Sequence, residues 1–298
     1  MKNRLCRWSL RLAAVSLAAL LTACAGLMET QGPPRKELIF AVTAGMELVQ
    51  FNAGQPQRIL SRQRVTGLAQ GERLLGIDYR VARGVLYALS SSGRLYTLDT
   101  ASAALKPVGN APSAVPLAGS QFGFDFNPAA DRIRVVSDTG QNLRLHPDTG
   151  AAVDGNPALE GVQGDAPLAY AAGDRQAGQP PAVVAAGYTY NKKDDKITTN
   201  FAIDRRLGAL VMQGSAEGTT PVVSPNTGVL TTIGLLGLGA LVDASFDIAD
   251  VSGAAFAAVR TAEQPRTRLY QVNLATGSAQ FIGTVGDGAP LVGMAVEP

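Results

Sequence analysis

The sequence predicts an all-β fold, a β-propeller of five blades closed by pairing of its N- and C-terminal strands. Two repeated elements and their common period predict it. A strand start, Leu75-Gly76-Ile77-Asp78-Tyr79, matches Phe122-Gly123-Phe124-Asp125-Phe126, and Ala244-Ser245-Phe246-Asp247-Ile248 follows the same pattern. A strand running into a turn recurs at Val49–Asn52, Tyr96–Asp99, Leu143–His146, Phe201–Asp204 and Tyr270–Asn273. Gly76 to Gly123 is 47 positions, and Asp99 to His146 is also 47. Two independent markers keeping one period in the forties, over short strands broken by Gly, Asp, Asn and Pro, are the signature of propeller blades. A β-sandwich or an open β array has no reason to keep that period.

Along the chain, the first element is a leader, residues 1–23. Lys2, Arg4, Arg7 and Arg11 form a basic start without an acid, and Leu12 to Leu21 form a short apolar run. About ten apolar residues are too few for a bilayer core that needs about twenty. The shape is that of a cleaved secretory signal. Leu21-Thr22-Ala23-Cys24 resembles the bacterial lipobox, so Cys24 is expected to become the lipid-bearing first residue of the mature protein. The resemblance implies export and a lipid anchor in the cell envelope. Ala25, where a retention signal would place Asp, points to the outer membrane rather than the inner. Residues 24–37, with Gln31-Gly32-Pro33-Pro34, read as a lipidated tether, and 38–298 as a single propeller domain.

Within that domain, Leu38 to about Arg73 reads as a blade lacking its innermost strand. The last run, Leu291–Val296, reads as an innermost strand lacking a blade. Pairing the two closes the ring and removes exposed edges. Val292–Val296 and Leu168–Ala172 are weaker copies of the strand start, with Ala295 and Ala171 at the Asp position. Asp204 to Asn273 stretches to 69 positions, an excess assigned to the Gly-, Thr-, Ser- and Pro-rich loop around Gly214–Asn226.

Composition narrows the partners. Without the four basic residues of the leader, 22 basic side chains face 24 acidic ones, a net charge of −2. That balance gives no footprint for nucleic acid. Cys6 leaves with the leader and Cys24 is lipidated, so no thiol remains for a disulfide, a zinc site or a nucleophile. No serine-hydrolase elbow, P-loop or zinc-helix motif is present. Gly234–Gly239 is glycine-rich but lacks the full dinucleotide fingerprint.

The stretch Phe122–Pro128 followed by Asp131–Gly150, with Gly93–Asp99 before it, resembles the bacterial family catalogued as domain of unknown function 4394. The similarity runs from about Leu74 to the C-terminus, strongest over residues 74–155 and again near Gly228–Gly237. The segment Ala216–Ser224 is longer than the family pattern. The resemblance implies a secreted, repeat-built β-protein and supplies no activity or catalytic residues.

Three groups of residues carry candidate chemistry. Asp78, Asp125 and Asp247 stand at equivalent places in three repeats. Innermost strands surround a central channel, so these carboxylates are expected to converge there. They either accept hydrogen bonds from a neighbouring blade's backbone or hold a hard cation such as Ca²⁺. Arg132, Arg134, Asn142 and Arg144 suit an anionic or sugar ligand, because guanidinium forks match carboxylates and phosphates. The alternative is a solvated strand pair around the turn Ser137-Asp138-Thr139-Gly140. His146 stands where other copies carry Asp or Asn, which assigns it to a turn, and Lys192–Lys196 reads as a charged hairpin turn. The expected function is a lipid-anchored envelope propeller that binds a protein or a glycan without catalysis. The alternatives are a hydrolase or lyase acting near a bound divalent cation, and a passive structural lipoprotein.

Overall fold

The structure is a computed structural model that describes residues 29–298. The leader and Cys24 lie outside the described residues. One compact unit runs Gly32–Pro298. It contains twenty strands. The first blade supplies β1 (Leu38–Thr43), β2 (Glu47–Asn52) and β3 (Gln55–Arg64), and the second β4 (Leu74–Arg80), β5 (Val85–Ser90), β6 (Leu95–Leu98) and β7 (Leu105–Pro107). The third has only β8 (Phe122–Asn127), β9 (Arg132–Ser137) and β10 (Asn142–Leu145). The fourth uses β11 (Ala169–Tyr170), β12 (Val183–Tyr188), β13 (Asn200–Asp204), β14 (Ala209–Gln213) and β15 (Val229–Leu235). The fifth has β16 (Asp243–Ile248), β17 (Ala255–Arg260), β18 (Arg268–Val272) and β19 (Ala279–Thr284), and the chain ends in β20 (Leu291–Val296).

The chain thus forms five small sheets, and β20 opens the first one, in the order β20-β1-β2-β3. Closure is antiparallel, with Ile39 opposite Val296 and Ala41 opposite Met294, as the two incomplete end segments predict. The innermost strands β20, β4, β8, β12 and β16 pack each against the next around a central channel. A five-bladed β-propeller is the result.

Burial follows from stacking sheets face to face. Inner strands are covered on both faces, so β4 (LLGIDYR) and β12 (VVAAGY) are buried at every position. The outermost β3 alternates between half-buried and exposed from Gln57 onward. Each gap between adjacent blades holds its own core. Phe40 and Val42 meet Ile77 and Leu86 between the first two blades, for example, and Phe51 meets Phe256 where the fifth blade returns to the first.

The fourth blade departs from the sequence reading twice. Leu168–Ala172 is not its innermost strand: β11 pairs in parallel with β15 at the blade's outer side, and the innermost strand is β12. Phe201–Asp204 is likewise the second strand rather than the third, because the Asp204–Gly208 turn joins β13 to β14. The long excursion between β10 and β12 displaced the register, and β12 carries no Asp to mark it.

Candidate functional site

Five equivalent positions line the channel. Asp78, Asp125 and Asp247 occupy three of them, on β4, β8 and β16. Gly187 on β12 and Ala295 on β20 occupy the others, so Gly187 replaces the expected Ala171. Two residues earlier on each strand stand Gly76, Gly123, Ala185, Ser245 and Gly293, all small, where neighbouring inner strands approach closely. A Cβ on Gly123 would lie 2.7 Å from the backbone at Ala185, and one on Gly293 2.7 Å from that at Ile77.

The carboxylates have a definite task there. An inner strand has a ladder partner on one side only, so amides turned to the channel need another acceptor. Asp78 accepts from Phe126 N on the next strand (2.7 Å), Asp125 from Tyr188 N (3.0 Å) and Asp247 from Val296 N (2.6 Å). The two strands that follow Gly187 and Ala295 receive no such bond. Ile248 N turns instead to the carboxylate of its own strand, Asp247. Three carboxylates therefore accept from four amides around the ring. Gly187 cannot take the role, because a Cβ there would meet the Phe246 ring at 2.7 Å.

One oxygen from each of the three carboxylates lies within 4.8 Å of the others, and all three residues are buried. Burial raises their pKa values, and mutual repulsion adds to the rise at Asp78 and Asp125. Asp78 and Asp125 are pushed well above the usual aspartate range, and Asp247 to about 6. Among the described residues this is the cluster whose spacing would admit a metal ion. Ca²⁺ takes six to eight oxygens, and here each carboxylate already accepts at least one amide.

The channel end beyond the carboxylates opens into a cavity of about 610 Å³. It is walled by Val81 and Arg83 of the second blade, Phe126, Asn127 and Asp131 of the third, and Tyr190, Asn191 and Asp195 from the β12–β13 loop. Burial raises the Tyr190 pKa, and the three channel aspartates and Asp250 raise it further, so the phenol stays protonated beside the carboxylates. Arg80 fixes the wall. It binds Asp131 through Nε (2.8 Å) and Nη2 (2.5 Å), and Asp148 through Nη1 (2.5 Å). Asp131 holds a left-handed backbone at φ 47°, a turn conformation that aspartate adopts more readily than most residues.

The arginine group has a different setting from this cavity. Arg134 is 2% exposed, and its guanidinium reaches Asp165 (2.6 Å), Asn142 (2.8 Å), Asn226 (2.6 Å) and the Tyr188 hydroxyl (3.2 Å). Arg144 closes on the same Asp165 through Nε (2.8 Å) and Nη2 (2.7 Å). Asn142 also accepts from Gln213 Nε2 and donates to Ala166 O. The structure thus gathers Arg134, Asn142 and Arg144, but as a buried clasp. It ties the loops carrying Asp165 and Asn226 to the third and fourth blades. Arg132 stands apart at the start of β9, donating to Asp131 O. His146 opens the turn at Gly150, as read from sequence, and its Nδ1 accepts from Asp148 N. Lys192–Lys196 belongs to the β12–β13 loop, whose Tyr190, Asn191, Asp195 and Ile197 line the cavity. These lining residues were missed because they fall outside the repeat.

A five-bladed ring whose channel amides converge on shared carboxylates defines a β-propeller domain with one elaborated mouth. The chain belongs to the family described as Domain of unknown function (DUF4394), whose profile matches residues 47–295. No curated protein matches significantly. Among solved structures, the chain is similar to a structural genomics protein of unknown function from Bacteroides thetaiotaomicron. That match has 11% identity and a TM-score of 0.45, and covers 79% of this chain and 56% of that one. It is also similar to glutaminyl cyclase from Myxococcus xanthus (14% identity, TM-score 0.43, 76% of this chain and 83% of that one). A third match is YCF48 from Cyanidioschyzon merolae (11%, 0.38, 85% and 68%).

Proposed function

We propose that the protein is an exported, lipid-anchored envelope propeller that binds a glycan at the cavity over its channel mouth, without catalysis. The cavity carries this reading. Its volume of about 610 Å³ falls within the usual range for small-ligand sites, about 300–1,000 Å³. Its lining sets the half-buried Tyr190 beside the exposed carboxylate of Asp195, with Asn127 and Asn191 bonded into their own turns and the Phe126 ring buried edge-on against Tyr87. A phenol ring beside a carboxylate suits a ring that is apolar on its faces and hydroxylated at its edge. The carboxylates beneath, which would serve a hydrolase or lyase, are engaged with backbone amides. The Cys24 lipid would hold the domain at the membrane, with the outer membrane its destination.

The test is a glycan array run beside a pull-down from solubilised envelope. A set of related glycans should bind the parent; Asp195→Ala, at an exposed position, should lose most of that binding with melting unchanged, and Tyr190→Phe should weaken it. An empty array with a single protein captured through the same two residues would replace the glycan by a protein partner.

A further inference from the structure

The opposite end of the channel carries a second, separate cavity. Its volume is about 230 Å³, and it lies where the inner strands begin. Leu74, Leu75, Phe122, Val184, Leu291 and Val292 make its walls, drawn from four of the five innermost strands, and Ala244 adds the fifth. The chemistry differs from that of the first mouth. Arg260 and Asp243 both line the cavity, but they bind each other through a two-pronged contact and cancel. Arg73 also lines it, is exposed, and forms no ion pair among the described residues. Its neighbour Glu72 is turned to the Tyr96 hydroxyl at 2.9 Å. Ser120 and Gln121 add a polar side, so the cavity is a mostly apolar funnel with one guanidinium that has no ion-pair partner among the described residues.

Between the two mouths the channel narrows at Gly76, Gly123, Ser245 and Gly293 to a space of about 20 Å³. That is room for about one water and for nothing larger. A ligand in the second mouth would not reach the carboxylates or the first cavity.

We propose that this second mouth is a binding site for a small monocarboxylate with an apolar body the size of one large side chain. The volume sets the size, the walls require an apolar body, and the unpaired Arg73 supplies the charge that a carboxylate would answer. A guanidinium–carboxylate pair is strengthened by charge and geometry together. The proposal is independent of the glycan reading of the first mouth.

Titration calorimetry of the full chain with indole-3-acetate and with the neutral isostere indole-3-acetamide tests it. The acid should bind about threefold more tightly than the amide, the margin expected of one exposed ion pair. Arg73→Gln should abolish that preference, and Arg73→Lys should retain most of it. Arg73 is exposed, so both variants should melt like the parent. Equal affinity for acid and amide, an acid preference that survives Arg73→Gln, or no acid binding at millimolar concentration would each overturn the proposal.

Discussion

At the scale of single residues, the channel aspartates hold the most consequential chemistry. They are buried acceptors for four amides, and their burial sets a direction for the pH dependence of stability. Asp247 rises from the ordinary 3.8 to about 6 in the folded protein, and burial pushes Asp78 and Asp125 well above the ordinary value as well. The protonated form is favoured by folding. The stabilisation from Asp247 is therefore complete below about pH 4 and is lost as pH climbs through about 6, and the other two act in the same direction. The melting temperature should fall between pH 4 and pH 7, and Asp247→Asn should flatten that slope. A melting temperature that rises across the same interval in the parent, and equally in the variant, would show that these groups are not the titrating ones. Asn retains one acceptor oxygen, so the substitution keeps the bond to Val296 N and gives up the one to Ile248 N. An alanine at the same place would leave both buried amides unpaired, at a cost of about 1–3 kcal/mol each.

At the scale of strands and blades, the ring depends on β20. It supplies the innermost strand of the first blade and presents the Val296 amide to Asp247. Deleting residues 290–298 should expose the edge of β1, leave Asp247 without that partner, and bring aggregation or loss of a cooperative melt. A truncated protein that melts like the parent would contradict closure by this strand. Closure was legible in the sequence because an apolar run without a blade and a blade without its inner strand stood at opposite ends. The second, third and fifth blades were legible through Asp78, Asp125 and Asp247, whose role in joining strands forces one residue type at one place. The fourth blade was not. Gly187 carries no side chain because the Phe246 ring occupies its space, so the marker vanished. The turn at Asp204–Gly208 then imitated a turn one strand further out. The arginine clasp was half legible. Arg134, Asn142 and Arg144 were singled out together, but their partners Asp165 and Asn226 lie on excursions with no place in the repeat.

At the scale of the whole molecule, the account joins a rigid ring, one polar mouth and an anchor. Anchoring is tested by Cys24→Ser, which should release the protein to the soluble fraction and abolish palmitate incorporation. A single acyl chain holds weakly, but the several chains of a bacterial lipoprotein hold stably. Retention of both the label and the membrane fraction in the variant would refute the lipobox reading. The central claim is that the channel carboxylates hold the blades together and that the molecule binds rather than catalyses. Elemental analysis of the purified parent and of Asp125→Asn, each paired with melting in added Ca²⁺, tests that claim most directly. The account predicts no stoichiometric divalent ion in either protein and no Ca²⁺-dependent rise in melting temperature. One bound divalent ion per chain in the parent, lost in Asp125→Asn together with a Ca²⁺-dependent gain in stability, would contradict it and make a cation-assisted hydrolase or lyase the better reading.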